Sequence, residues 1–331
     1  MQAVVTHEFG PPSVLVPEEV PDPAPGPEQV VVDVGVANVT FVETQVRAGR
    51  PPSPAMLPTL PAILGNGVGG VIASVGERVD AGLIGRRVVA SLGGTGGYAE
   101  RAVADSVALI DVPNALGTQE AVALLADGRT ALLLMRAAAV RAGETVLVEA
   151  AAGGVGSLLV QLAASAGARV VGAAGGERKV RLARELGASM VVDYTRPGWA
   201  DRVASEVGSV DVVFDGVGGS IGRAAFELVG ADGRFCAFGM ASGSFANISD
   251  EAAEARRVRL IRGGRATSQE LRDLARSALA EAAAGRLHPV IGQTFPLEQA
   301  AQAHAGIERR ATVGKTLLLI PVRSPRQTSE A

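Results

Sequence analysis

Four residues, Gly153-Gly154-Val155-Gly156, carry the most specific chemistry in this chain of 331 residues. They follow the apolar run Thr145-Val146-Leu147-Val148, which reads as a buried parallel strand. They precede Ser157-Leu158-Leu159-Val160-Gln161-Leu162-Ala163, which reads as the start of a helix. A strand, a tight glycine turn and a helix N-terminus together make an anion site. The first amides of the helix have no partner within it, and missing side chains let a phosphate come close. The spacing is that of a dinucleotide fingerprint in which Ala151 replaces the first glycine. The pattern points to a bound pyrophosphate; the alternative is a tight strand-to-helix turn that binds nothing.

The next strand decides between nicotinamide cofactors. An acid at its end would bind the ribose 2′-hydroxyl of NADH and repel a 2′-phosphate. Here Ala168–Ala174 ends in Ala174, Gly175 and Gly176, with no acid, and Arg178 and Lys179 follow at once. The expected cofactor is NADPH, although Glu177 stands nearby with the wrong sign. The chain has only two lysines, Lys179 and Lys315.

The flanking elements form two textures. Strands at 145–149, 169–173, 190–193, 211–215 and 233–238 alternate with helices near 156–166, 177–186, 198–207 and 220–229, preceded by a helix over 118–140. Such βα repetition implies a parallel sheet with helices on both faces. Before Pro113, short β-like runs such as Gly70–Gly76, Arg87–Ala90 and Ala99–Val103 suggest a compact barrel-like domain. Residues 11–27 hold seven prolines and read as an extended surface connection between strands near 2–7 and 29–37. A helix is expected over 268–285, and Lys315–Ile320 is a clear strand. Residues 322–331 are polar and expected to be disordered.

Bulk properties exclude several classes. Hydrophobic residues make up 47%, enough for a core, and the net charge of −3 with no basic block gives no support for nucleic-acid binding. One cysteine, Cys236, rules out a disulfide framework and fits a cytoplasmic location. Met1–Val5 lacks a charged region followed by an apolar run, so no signal peptide is expected, and no stretch is long enough to suggest a membrane span.

Ala150–Gly156 with Gln161, Asp211-Val212-Val213-Phe214-Asp215-Gly216-Val217-Gly218-Gly219, Gly233–Gly239, Gly97–Glu100, and Ala303-His304 through Gly314-Lys315 together resemble the zinc-independent quinone oxidoreductase branch of the medium-chain dehydrogenase/reductase superfamily. The resemblance covers nearly the whole chain. It implies an α/β fold: a Rossmann doubly wound parallel sheet plus a GroES-like β-rich catalytic domain built from both chain ends. The domains would be 1–117 completed by 288–322, then 118–287, with a tail over 323–331. It implies NADPH as cofactor, a small-molecule quinone or enone as substrate, and a homodimer. Gly153, Gly154, Val155 and Gly156 would hold the pyrophosphate and Lys179 the 2′-phosphate. Tyr194 would pack near the adenosine phosphate and Thr130 near the nicotinamide ribose. Phe238, Gly239 and Met240 would form a loop beside the carboxamide, and Lys315 would stand close to the cofactor. For Tyr194 and Phe238 core packing is the alternative, and for Lys315 a solvated strand end.

Zinc-dependent relatives need a cysteine, a His-Glu pair and a further acid or cysteine. Here the matching turn is Gly65-Asn66-Gly67. His7, His288 and His304 have no ligand spacing, and His304 reads as a helix-surface residue, so no metal is expected. The family's substrate-side Asn-Phe-Ile-Asp followed by Thr-Tyr becomes Thr40-Phe41-Val42-Glu43-Thr44-Gln45. Thr40 and Gln45 are the candidate catalytic residues, as hydrogen-bond donors to an acceptor oxygen. The leading expectation is an NADPH-dependent quinone or enone reductase. A pathway-specific enoyl reductase of polyketide-type biosynthesis and a non-catalytic NADPH-binding protein stay open.

Overall fold

The computed structural model describes residues 1–263 and 266–321. The tail expected over 323–331 lies outside the described residues.

β1 (Gln2–Thr6), β2 (Leu15–Glu19) and β3 (Gln29–Val39) come first, then α1 (Phe41–Arg47). β4 (Ala62–Ile63), β5 (Gly67–Val75), β6 (Arg87–Ser91), β7 (Arg101–Asp105) and β8 (Leu109–Asp111) lead to α2 (Thr118–Ala138). Strands and helices then alternate through β9 (Thr145–Glu149), α3 (Gly154–Ser165), β10 (Arg169–Ala174), α4 (Glu177–Glu185), β11 (Met190–Asp193), α5 (Trp199–Val207), β12 (Val210–Asp215), α6 (Gly219–Glu227) and β13 (Val229–Ala237). The chain closes with α7 (Asp250–Ala255), β14 (Arg259–Arg262), α8 (Ser268–Ala283), β15 (Ile291–Pro296), α9 (Ala300–Glu308) and β16 (Lys315–Leu319).

The chain divides into two compact units, one joining Met1–Ala126 to the chain from Ile291 on, the other Asp127–Val290. The division falls inside α2 rather than ahead of it at residue 117. The first turns of α2 pack on β5, where a side-chain carbon on Gly69 would come within 2.4 Å of Val122 and 2.8 Å of Thr118.

In the second unit six strands run parallel in the order β11-β10-β9-β12-β13-β14. The order reverses between β9 and β12. With right-handed crossovers, helices before and after that point cover opposite faces of the sheet. Leu147, Val171, Val213 and Phe235 are buried at its centre, with Trp199, Val203 and Phe226 of the helices packed against them. Strands covered on both faces read as unbroken apolar runs, which is why β9 and β12 stand out in the sequence. β13 begins at Val229, earlier than expected, because Val229 already pairs with Val210.

The first unit is β-rich. β15, β16, β3, β5, β6 and β8 form one sheet, with β7 also paired to β3, and β2, β1 and β4 form another. Strands from both ends of the chain therefore share a sheet: β16 pairs antiparallel with β3 through Thr316↔Val39 and Leu318↔Ala37. The proline-rich segment 11–27 is more than a connection. It contains β2, an edge strand whose Pro17 sits opposite Val4, and an edge is where a strand tolerates proline.

The close pairing of β3 and β5 depends on a glycine. An ideal Cβ on Gly70 would lie 1.9 Å from the Asp33 carbonyl oxygen. Gly70→Ala should therefore destabilise the fold by about 3 kcal/mol through overpacking. Urea unfolding should show a lower midpoint at unchanged slope; an unchanged midpoint would mean that β3 yields freely.

Candidate functional site

The residues between β9 and α3 form a turn closed by its own backbone. Ala150 has φ +47°, a left-handed conformation uncommon for a residue with a Cβ. Its carbonyl oxygen accepts from Gly153 N at 2.7 Å, and an ideal Cβ on Gly156 would lie only 2.1 Å from that oxygen. Gly153, the N-cap of α3, has no side chain with which to cap the helix, and the amides of a helix's first turn have no partner within it. One feature opposes an anion. Asp127 Oδ2 lies 2.0 Å from where a Cβ of Gly154 would stand. Arg129, close enough to feel the Asp127 charge, belongs to the same turn of α2. Thr130 follows, half-buried.

The remaining expected cofactor residues of this unit lie at the same C-terminal edge of the sheet. At the end of β10 the chain passes through Gly175 and Gly176 into α4, which carries Lys179 in its first turn. The Tyr194 ring packs over Gly175, where a Cβ would sit 3.1 Å from Cε2. Asp193, not singled out from the sequence, closes this turn. Its Oδ1 accepts from Gly176 N at 3.1 Å and from Thr195 N at 2.9 Å. Burial works against its charge, but the bonds from Thr195 and Gly176 hold its carboxyl below the usual range. At the end of β13, Phe238 N and Gly239 N both donate to the Asp215 carbonyl oxygen, and the Phe238 ring lies against Gly216. Met240 continues this loop, half-buried.

Beneath the glycine turn lies a pair of acids. Glu149 ends β9, Asp215 ends β12, and both are fully buried. Asp215 Oδ1 accepts from Val217 N at 3.0 Å and Gly218 N at 2.6 Å. Neither Glu149 oxygen nor Asp215 Oδ2 has a donor among the described residues. Burial together with the neighbouring Asp215 charge pushes the Glu149 carboxyl well above the usual range. A proton held by Glu149 and shared with Asp215 satisfies this geometry. A glutamate ending an otherwise apolar strand was the available sequence signal.

The expected residues of the first unit group around α1. Thr40 caps α1 in a capping box with Glu43: Glu43 N donates to Thr40 Oγ1 at 3.2 Å, and Thr40 N to Glu43 Oε2 at 2.6 Å. The Thr-x-x-Glu spacing was legible as a helix start. Gln45 is buried and donates to Thr44 Oγ1 at 3.1 Å. Lys315 is buried at the start of β16, not a solvated strand end, and its charge favours the ionised form of Glu43. His304 is a correction. It is fully buried, and burial pushes it down to about 3. Its α9 face packs inward because Ala300, Ala303 and His304 share one side of the helix, and its Nε2 lies 2.9 Å from the Tyr98 hydroxyl. Arg47, also buried, pairs with Glu308 at the end of α9.

Donors for a metal are not gathered in either unit. Among the described residues no group of three or more His, Cys, Asp or Glu could hold an ion. At the turn that would supply the histidine, Asn66 Oδ1 already accepts from Leu92 N. Cys236 is buried in β13 and its thiol is pushed up to about 12 by that burial. Among the described residues no helix is long and apolar enough to cross a membrane.

Comparison with known proteins agrees with this architecture. Residues 26–114 match the alcohol dehydrogenase GroES-like domain, and residues 186–318 match a domain described as zinc-binding dehydrogenase. These two define a GroES-like domain joined to a Rossmann domain, the medium-chain dehydrogenase/reductase arrangement. The mouse quinone oxidoreductase is 33% identical, covering 97% of this chain and 98% of its own. A 2-haloacrylate reductase from Burkholderia is 31% identical over 96% of this chain and 99% of its own. A mycobacterial protein solved in complex with NADPH superposes with a TM-score of 0.87 at 32% identity, covering 96% and 99% of the two chains. This chain belongs to the quinone oxidoreductase branch of the medium-chain dehydrogenase/reductase superfamily.

The acid pair makes a test. An unfolded glutamate ionises near 4.5, whereas folded Glu149 keeps its proton well above that. Its contribution to stability is fully present below pH 4.5 and is lost as pH rises through the raised folded value. Glu149→Gln mimics the protonated form, so thermal unfolding of the variant should fall less steeply with rising pH than that of the parent. The slope due to Glu43, also raised by burial, would remain. Identical slopes for the two proteins would show that Glu149 is not protonated in the fold.

Proposed function

We propose that this chain transfers hydride from NADPH to a quinone or an α,β-unsaturated carbonyl compound without a metal. What supports the reading is the glycine turn at the N-terminus of α3, whose N-cap is Gly153, at the strand pair where the sheet order reverses. Open α/β sheets bind ligands at such a switch point. Bound there, NADPH supplies the hydride. The residues around it bind and orient: Gly153–Gly156 for the pyrophosphate, Lys179 with Arg178 for the 2′-phosphate, Tyr194 over Gly175 for the adenosine side, and Thr130 and Phe238–Met240 for the nicotinamide end. Lys315 is the cofactor-side lysine of the first unit. Thr40 is the candidate O–H donor to the acceptor oxygen; its bond from Glu43 N uses a lone pair, and its hydroxyl also lies against the Glu43 carboxyl. Gln45 is the second candidate donor. The donor set does not fit a catalytic zinc, and no step is routed through one. The naming of relatives as quinone oxidoreductases and as a 2-haloacrylate reductase favours an electron-poor acceptor. A homodimer and a cytoplasmic location belong to the same proposal on the family resemblance.

NADPH oxidation in the presence of simple quinones and of linear and cyclic enones tests the activity. Turnover with either class supports the reading, and the preferred class chooses between quinone reductase and enoyl reductase. Tight NADPH binding with no turnover of any acceptor would favour a non-catalytic cofactor-binding protein. Lys179→Ala should raise KM for NADPH about tenfold, the worth of one charge-assisted bond, and leave KM for NADH nearly unchanged; an equal effect on both removes Lys179 from the phosphate. Gly156→Val should abolish binding of either cofactor in a fluorescence titration, since its side chain collides with the Ala150 carbonyl. Retained affinity would place the pyrophosphate elsewhere.

A further inference from the structure

Among the described residues the same helix cap is built twice, and the two copies differ in a way that capping does not explain. α8 starts with Thr267 and Glu270 in a capping box, and α1 with Thr40 and Glu43. The Glu270 side chain is 45% exposed, and its bonds to Thr267 hold its carboxyl below the usual range. Glu43 is 5% exposed, and burial pushes its carboxyl up. A cap needs no burial, and burying an acid is costly.

Glu43 also has partners that Glu270 lacks. Its Oε1 accepts from Asn66 N at 2.7 Å, and its Oε2 lies 3.2 Å from the Tyr98 hydroxyl. The same hydroxyl is 2.9 Å from His304 Nε2. Tyr98 and His304 are both fully buried, their rings edge to face. The Thr40 hydroxyl touches the Glu43 carboxyl. A continuous line of hydrogen-bonding groups thus runs from half-buried Thr40 through Glu43 and Tyr98 to His304, within one unit.

We propose that Glu43 stores the proton that Thr40 hands to the reduced acceptor, and that Tyr98, placed between Glu43 and His304, serves both protonation states of Glu43. The inference rests on the reductase reading. When hydride reaches the acceptor carbon, its electron pair forms the new C–H bond and displaces charge onto the acceptor oxygen. Thr40 gives its O–H proton to that oxygen, leaving the bonding pair on Oγ1, and the Glu43 carboxylic acid gives its proton to Oγ1. Glu43 is left as a carboxylate and regains a proton from water through the Thr40 hydroxyl once product departs. One proton enters and one leaves in each turnover, and NADPH is the only reductant. Tyr98 needs only to rotate its O–H. It donates to His304 Nε2 while Glu43 holds its proton, and to Glu43 Oε2 when Glu43 is ionised. His304 is suited to this because burial keeps it neutral, with Nε2 free to accept. Glu43 and Tyr98 are positioning and storage residues here; Thr40 alone touches the acceptor.

The charged and titratable groups facing this line are Lys315 on β16, Arg47 on α1 and its partner Glu308 on α9. Lys315 favours the carboxylate and Arg47 opposes protonation of His304, so neither mimics the expected behaviour. The acid form of Glu43 is the active one. Enone reduction should therefore fall as pH rises through the raised Glu43 value, and Glu43→Gln should abolish that limb. The glutamine stores no proton, and its single oxygen can accept from only one of Asn66 N and Thr40 N, which Glu43 meets with separate oxygens. Its kcat should drop at least about hundredfold, the usual worth of a general acid, with NADPH affinity close to that of the parent and a thermal midpoint lowered only by the one lost amide bond. Glu43→Asp should recover part of the rate, and Tyr98→Phe, which removes a donor to the carboxylate, should move the limb to higher pH. A normal kcat with an intact limb in Glu43→Gln would overturn the proposal, as would a limb unmoved in Tyr98→Phe. A reading independent of turnover comes from the infrared difference spectrum of parent minus Glu43→Gln just above pH 4.5, where an ordinary glutamate has begun to ionise and a raised one keeps its proton. A carboxylic C=O band assigned to Glu43 is expected, and a carboxylate band in its place overturns the storage role. If the band is present but no quinone or enone turns over, the reductase reading fails and the buried proton does not.

Discussion

The approach of the Ala150 carbonyl to Gly156 is the contact on which the C-terminal edge of the parallel sheet depends. With only 2.1 Å to spare for any side-chain atom, the chain can leave β9 and enter α3 in one way, and Ala150 takes a left-handed conformation to allow it. Strain of this kind costs on the order of 1–3 kcal/mol and persists only where the surroundings fix it. Here they do. The turn ends β9 so that Glu149 meets Asp215. Asp215 in turn holds the amides of Val217 and Gly218 with its side chain and those of Phe238 and Gly239 with its carbonyl. One close backbone approach thereby orders the loops after β9, β12 and β13 together.

Each unit hides an acid among groups that share or donate hydrogen bonds, with the Lys315 charge also acting on Glu43. Glu149 shares with Asp215, while Glu43 leans on two amides and a phenol. A buried ion pair would satisfy the same groups but would fix their charge, because removing either partner leaves an uncompensated ion. The chain uses that solution elsewhere, at Arg47 and Glu308, where nothing needs to titrate.

Much of this was legible from the residues. The βα alternation placed β9 and β11 at their observed limits, because strands buried on both faces are apolar throughout and end at glycine or charge. The glycine turn was legible because its chemistry is a matter of missing atoms. Three things were not. Pro17 hid β2, since a proline that forbids a central strand is harmless at an edge. Glu43 looked like one polar residue among several, and its Thr40 partner suggested no burial. His304, in a helix rich in small residues, gave no periodicity strong enough to show which side faces in; only the Tyr98 hydroxyl, distant in sequence, explains its position. Local pattern reveals elements and turns, whereas a buried polar group is defined by partners from other segments.

The isolation of Cys236 has a consequence for the proposed quinone and enone acceptors. Quinones and enones are soft electrophiles, and the species they attack is the thiolate. The chain has a single cysteine, enclosed in β13, with a thiol that holds its proton to about 12. At neutral pH almost no thiolate exists, and none of it lies at the surface. The chain thus offers the proposed acceptors no surface sulfur to trap, so covalent capture through cysteine is closed off by where one residue sits.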